Sequence, residues 1–194
     1  MTEPQAPARE SLGLFPLQTV LVPGAKLGLR VFEARYLDLV RECGRNGSGF
    51  GICLVLEGRE GAPAIPAAFG TEALIEDFGT GDDGLLTLRV RGARRFHVAR
   101  TRVRDNGLLV GDIEWRPPDP RVLLRPEHAL LSTLLQRILE KTGDFGFGEE
   151  RLDDAAWVGW RLAEILPLAD QQRQSLLQQD DPHERLEKLL GMIA

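Results

Sequence analysis

Along this chain the spacing of hydrophobic positions changes period several times, and each change marks an expected element. Leu17-Gln18-Thr19-Val20-Leu21-Val22 predicts a short strand, stopped by the turn dipeptide Pro23–Gly24. Leu27, Leu29 and Val31 then alternate with Lys26, Gly28 and Arg30, the period-2 signature of a half-buried strand. From Phe32 the period becomes helical. Phe32, Tyr36, Leu39, Val40 and Cys43 fall on one face, Glu33 sits in the first turn where the helix dipole favours a carboxylate, and Gly44 is the expected stop. "FGICLVLEG" is apolar on both faces and predicts a central strand. After a Gly/Pro/Ala loop from Gly58 to Phe69 come "TEALIEDF", "GLLTLRVRG", "RRFHVARTRVR" and "LLVGDIEW". These read as short strands separated by Gly81-Asp82-Asp83-Gly84, Gly92 and Asp105-Asn106-Gly107, the punctuation of a barrel or sandwich.

The pattern breaks at "RPPDPR", residues 116–121, whose prolines forbid both helix and central strand. Beyond it the period is helical. Pro126 opens a helix with a wide stripe of Leu130, Leu131, Leu134, Leu135, Ile138 and Leu139, and Gly143 ends it. Asp153 or Asp154 caps a second helix that runs through Trp157, Trp160 and Ala163 to Leu166, before Pro167. A third spans roughly Asp170 to Gln179. The fourth starts with Asp181 as cap, Pro182 in first position and Glu184 at the capping-box position; its stripe is Leu186, Leu189, Leu190 and Ile193.

Composition narrows the function classes. With 194 residues, 43% hydrophobic and 27% charged, the chain has the makeup of a globular protein of one domain or two small ones. The net charge of −5 argues against coating nucleic acid or anionic membrane through the overall field. No run of about 18 uncharged apolar residues predicts a membrane span, and the start, MTEPQAPARES, lacks the basic-then-apolar order of a secretory signal. Cys43 and Cys53 form no CxxC pair, and buried free thiols in a reducing cytoplasm are expected. One charged feature stands out: seven arginines lie between Arg89 and Arg104. Arg89 and Arg91, and separately Arg100, Arg102 and Arg104, alternate with neighbours as residues do on one face of a strand, and two antiparallel strands would join them into a basic stripe. Such a stripe makes an RNA-binding barrel the alternative function. Only Phe96 lies near it for base stacking, so a solvated or salt-bridged face is the preferred reading.

Certain residues together carry a resemblance. They are Phe15-Pro16-Leu17, Val20-Leu21-Val22-Pro23-Gly24, and Leu29-Arg30-Val31-Phe32-Glu33-Ala34-Arg35-Tyr36. Gly70-Thr71-Glu72-Ala73, the Gly92-to-Phe96 step and the tail "LAEILPLADQQRQSLLQQDDPHERLEKLL" complete the set. In this order and spacing the chain resembles the N-terminal, substrate-binding domain of the Lon family of ATP-dependent proteases, as found in small stand-alone proteins, over about Gly13 to Leu190. The resemblance implies an α+β fold: an N-terminal PUA-like β pseudo-barrel with one early helix, followed by a C-terminal α-helical bundle. The expected division is a flexible lead over residues 1–10, a barrel subdomain over 11–116 and a helical subdomain over 117–194. "FEARY" would be the helix entry, with Phe32 and Tyr36 sharing a buried face.

A complete Lon protease needs an ATPase and a serine–lysine proteolytic site, and the residues lack the marks of both. The three lysines follow Ala25, Glu140 and Glu187, so no phosphate-binding loop is present, and none of the four serines sits in a Gly-x-Ser-x-Gly elbow. Asp144-Phe145-Gly146 lacks every companion motif of a kinase. His97, His128 and His183 lie on different elements, neither cysteine has metal-ligand spacing, and the acidic doublets fall in turns and helix starts. No catalytic residue, cofactor or metal is expected. What remains is a non-catalytic, cytoplasmic, bacterial-looking module that binds unfolded or extended polypeptide, with a protease or other protein as a further partner and nucleic acid not expected. Its candidate contacts are Pro23, Gly24, Glu33, Arg35 and Tyr36; the RNA alternative would use Arg89, Arg91, Arg100, Arg102 and Arg104.

Overall fold

The computed structural model describes residues 9–58, 64–143 and 148–193. Most of the proposed lead (residues 1–8), part of the loop after Gly58, and Asp144-Phe145-Gly146 therefore lie outside the described residues. The chain forms two compact units, one of residues up to Leu21 and Lys26–Pro117, the other of Val22–Ala25 and Pro118 onward.

The first unit is a six-stranded sheet with one helix. Its elements are β1 (Glu10–Leu17), β2 (Lys26–Val31), α1 (Ala34–Asn46), β3 (Phe50–Glu57), β4 (Ile65–Thr80), β5 (Leu86–Val103) and β6 (Leu109–Trp115). The strand order is β2-β5-β4-β3-β1-β6, and a further β5–β6 pairing closes five of the strands into a ring with β2 outside it. Among the described strands only β1 and β3 run parallel; the other pairings are antiparallel.

The structure departs from three expectations. The first strand is not Leu17–Val22 but Glu10–Leu17, so strand structure begins inside the segment assigned to the lead. Val20, Leu21 and Val22 are buried without being a strand. Gly92 does not separate two strands, because β5 runs through it for 18 residues, pairing with β2 over residues 86–91, with β4 over 86–97 and with β6 over 96–103. The helix starts after Phe32, which is 65% exposed, and passes through Gly44 to end at Gly47, whose φ of 62° is the left-handed conformation that glycine adopts cheaply. Tyr36 alone of that pair is buried, stacked on Phe15 with centroids 4.0 Å apart.

Inside the ring, Leu12, Leu14, Cys53, Phe96, Leu109 and Ile113 form a continuous core, with Val98 and Trp115 against it. Cys43 and Cys53 are free and buried, and burial pushes the Cys53 thiol up to about 12.

The second unit holds a 3-10 turn (Pro126–His128) and four helices: α2 (Ala129–Thr142), α3 (Ala155–Ile165), α4 (Asp170–Leu177) and α5 (Pro182–Ile193). Helix α3 is buried along nearly its whole length, which suits its Ala-Ala-Trp-Val-Gly-Trp sequence. Asp154 caps it by accepting the Ala156 and Trp157 amides. Asp181 does the same for the His183 and Glu184 amides, and Gln179 Oε1 accepts the Asp181 amide, the place expected for Glu184. The leucine stripe of α2 is narrower than expected: Leu131, Leu135 and Leu139 are buried, whereas Leu130 is exposed.

Candidate functional site

A groove of about 590 Å³ opens in the first unit, where the C-terminal half of α1 faces the outer arms of β4 and β5. Val40, Cys43 and Gly44 form one wall; Leu74, Phe78 and Leu88 form the other. The pairing of the sheet explains it. β3 covers one edge of β4 only as far as the Phe50↔Ala73 pair, while β5 continues along the other edge to Thr80↔Leu86. Past Ala73, β4 therefore has strand neighbours on one side only among the described residues, and its side chains emerge: Leu74 is 42% and Phe78 75% exposed. Large exposed apolar side chains clustered at a groove mark an interaction surface more often than chance exposure does. A second, shallower groove of about 400 Å³ lies on the other side of Phe78, against Leu27, Gly28 and Thr87.

Nothing in the sequence singled out this site. Leu74, Ile75 and Phe78 read as ordinary strand residues, and only the point where β3 ends leaves them uncovered.

The expected contact residues occupy two different settings. In the first unit Glu33 precedes α1 and pairs with Arg35 at 2.8 Å, Arg35 donates to the Gly107 carbonyl at 3.2 Å, and its guanidinium lies 4.8 Å from the Tyr36 ring centre. Burial raises the Tyr36 hydroxyl pKa; Arg35 opposes this. These three residues tie the start of α1 to the β5–β6 turn, and Phe32 projects beside them. Pro23 and Gly24 belong to the second unit. Val22 accepts the Ala25 amide at 3.1 Å across the turn, and Gly24 has the φ of 79° that this Pro-Gly turn requires. Buried Arg161 donates to the Pro23 carbonyl, and a β-carbon at Gly24 would lie 2.7 Å from its guanidinium.

The arginines do not make one stripe from two strands. Those from Arg89 to Arg102 lie on the single strand β5 and Arg104 lies just past its end, with Arg89 opposite Gly28 of β2 and Arg100 opposite Asp112 of β6. Carboxylates meet them: Arg89 with Asp77 at 3.1 Å, Arg91 with Glu76, Arg94 bidentate on Glu72, Arg100 and Arg102 on Asp112 at 2.8 Å, and Arg104 on Glu42 at 2.9 Å. Arg94 also stacks over Trp115 at 3.6 Å.

The Arg100 hydrogen bond foremost, opposed next by burial and aided less by Arg102 and Ser11, holds the Asp112 carboxyl below the usual carboxylate range. A depressed folded pKa means that the unfolded chain takes up protons first as pH falls. The stabilisation from this cluster is thus complete above roughly pH 4 and is lost as pH drops through the lowered value. Asp112→Asn is expected to flatten the acid side of a stability-versus-pH curve measured by urea denaturation, leaving the neutral-to-alkaline slope unchanged; an unaltered acid side would show that the cluster is not coupled to folding.

Several other acidic side chains hold local structure. Asp83 accepts the Leu85 amide and pairs with Arg30, and Asp154 and Asp181 cap helices. The sequence missed one approach: His128 and His183 stack with centroids 5.7 Å apart, and His128 Nε2 lies 2.6 Å from Glu187 Oε1. Among the described residues no group of three or more His, Cys, Asp or Glu is placed to hold a metal ion. No helix among them is long and apolar enough to cross a membrane.

Comparison with known proteins agrees with this architecture. Residues 11–194 match the family described as the ATP-dependent protease La (LON) substrate-binding domain. A Lon N-terminal domain protein from Xanthomonas campestris superposes with a TM-score of 0.83 at 60% identity, over 95% of this chain and 99% of that one. The N-terminal domain of a Mycobacterium avium complex Lon protease shares the fold, with a TM-score of 0.68 at 20% identity over 94% and 97% of the two chains. A search of curated proteins gives no significant match. The chain belongs to the family of Lon substrate-binding domains.

Proposed function

We propose that this protein is a non-catalytic, cytoplasmic module that binds unfolded or extended polypeptide, its β ring a PUA-like pseudo-barrel and its second unit a helical bundle. The observation that carries the reading is the apolar groove between α1 and the β4–β5 arms, with Phe78 and Leu74 exposed at its rim, in a member of a substrate-binding family. Folded proteins hide alternating apolar side chains; unfolded ones present them, so an open apolar groove discriminates between the two. The helix entry at Glu33, Arg35 and Tyr36 is a second contact region, because Phe32 stands exposed next to it. Polypeptide is favoured over RNA because Arg89, Arg91, Arg100, Arg102 and Arg104 already face carboxylates.

Affinity on the order of micromolar is expected, since ordering a flexible client offsets much of the contact energy. Titration of the protein into fluorescein-labelled lysozyme, native or reduced and alkylated, reads this out by anisotropy. Binding to the unfolded form alone is the expected result. Equal binding to both forms, or to neither, by a sample with intact near-UV circular dichroism would overturn the reading.

A further inference from the structure

We propose that the outer edge of β4, Leu74–Thr80, takes up a client segment by strand addition, and that the preferred segment alternates apolar residues with a lysine or arginine among them. This rests on the polypeptide-binding reading and specifies its site and substrate class.

The backbone supplies the first half of the case. β5 pairs with one edge of β4 from Leu74 to Thr80, and no described strand pairs with the other. Such an edge is ordinarily blunted, and here a side chain does so. The Phe78 amide donates to Oδ1 of Asp77 at 2.9 Å, so a carboxylate oxygen serves as the acceptor that a neighbouring strand's carbonyl would otherwise provide. The bulge between Ile75 and Asp77 places that carboxylate there, because the extra residue turns β4 locally. Asp77 Oδ2 is held by Arg89 at 3.1 Å, which leaves Oδ1 to the amide. An incoming strand would replace one acceptor by another, without leaving a buried group unsatisfied.

Side-chain chemistry supplies the other half. An extended segment along this edge projects alternate side chains toward the groove, whose apolar lining comes from Val40, Leu74, Phe78, Leu86 and Leu88. Glu76 and Asp77 line it too, and no lysine or arginine does. The carboxyl end of α1 also borders it, where the Cys43 carbonyl accepts the Gly47 and Ser48 amides and the helix dipole is negative. Glu76 is paired with Arg91 and Asp77 with Arg89, but neither arginine lines the groove, so an apolar lining whose charged members are carboxylates complements a basic, apolar strand better than an acidic one. A second copy of this chain is the competing occupant.

The test uses the full chain and fluorescein-labelled ten-residue peptides of alternating leucine and lysine, alternating leucine and glutamate, and the lysine peptide N-methylated at every second amide. The lysine peptide is expected to bind; N-methylation, which removes several main-chain donors, is expected to weaken it about tenfold or more. The glutamate peptide is expected to bind about fivefold or more weakly than the lysine one, with the difference shrinking as salt rises. Phe78→Ser, at a position exposed enough to leave folding intact, should weaken the lysine peptide without changing the circular dichroism. If the three peptides bind alike, or Phe78→Ser changes nothing, while reduced and alkylated lysozyme still binds, the edge proposal fails and the polypeptide-binding reading stands. If the unfolded lysozyme does not bind either, both fall. Concentration-dependent self-association of the protein alone, abolished by Phe78→Ser, would assign the edge to a second copy and overturn the proposal.

Discussion

Asp119→Ala is expected to destabilise the second unit by about 3–5 kcal/mol, a large part of the stability of a small domain. Arg185 on α5 is fully buried, and a charge there persists only with a partner. Two of its guanidinium nitrogens donate to the Asp119 carboxylate at 3.0 and 3.1 Å, and one also donates to the Gln179 carbonyl at 2.7 Å. The guanidinium lies 3.7 Å from the Trp160 ring centre, and Trp160 Nε1 donates to the same carboxylate at 2.6 Å. Removing that carboxylate strands a buried cation and a buried indole N–H together. Arg185→Met is expected to cost clearly less, because it removes the buried charge while filling similar volume, and the Asp119 side chain is 12% exposed and can recover water. Urea denaturation followed by tryptophan fluorescence and by far-UV circular dichroism measures both. Arg185→Met costing as much as Asp119→Ala would show that packing, and not charge compensation, dominates the cluster.

That cluster also shows what was legible in the sequence. The tail that holds Asp181, Arg185 and Leu186 formed part of the resemblance, and the prolines around Asp119 marked a break. Nothing local connects positions 119, 160 and 185; the contact exists only once α3 and α5 pack. Strand β2 and the helix starts at Asp153 or Asp154 and at Asp181 were legible because period and capping are local signals, and the structure selects Asp154 as the first of these caps. The first strand was misplaced because Val20, Leu21 and Val22 are apolar and buried without pairing as a strand, and burial alone does not distinguish the two. Phe32 fits a helical period yet precedes the helix, so its exposure could not be inferred from spacing. The candidate groove was hidden by the same limit, since what exposes Phe78 is the end of a different strand.

Phe96→Ala is expected to cost the β ring about 3–5 kcal/mol, and two glycines that make room for Phe96 give the sharper test. Phe96 is fully buried, pairs in register with Gly70 across β4 and β5, and meets Trp115 edge-on with centroids 6.0 Å apart. A β-carbon at Gly51 would lie 2.7 Å from the Phe96 ring and 2.7 Å from Leu14 Cδ2. One at Gly70 would lie 2.6 Å from the same ring and also 2.6 Å from the Ile52 carbonyl oxygen. Gly70, of the Gly70-Thr71-Glu72-Ala73 step, and Gly51 of β3 together form the floor on which the Phe96 ring rests. They differ in what obstructs a methyl group. At Gly51 only side chains do, and side chains can repack; at Gly70 a backbone carbonyl in the β3–β4 ladder does, and it cannot move without breaking the pairing. Each glycine-to-alanine change should cost about 1–3 kcal/mol or more by overpacking. Adding Phe96→Leu should then recover part of the loss in Gly51→Ala, with a coupling of about 1 kcal/mol, and little of it in Gly70→Ala. Double-mutant cycles by urea denaturation decide the point. Equal rescue at both sites would mean that the ring, and not the strand ladder, sets the limit at Gly70.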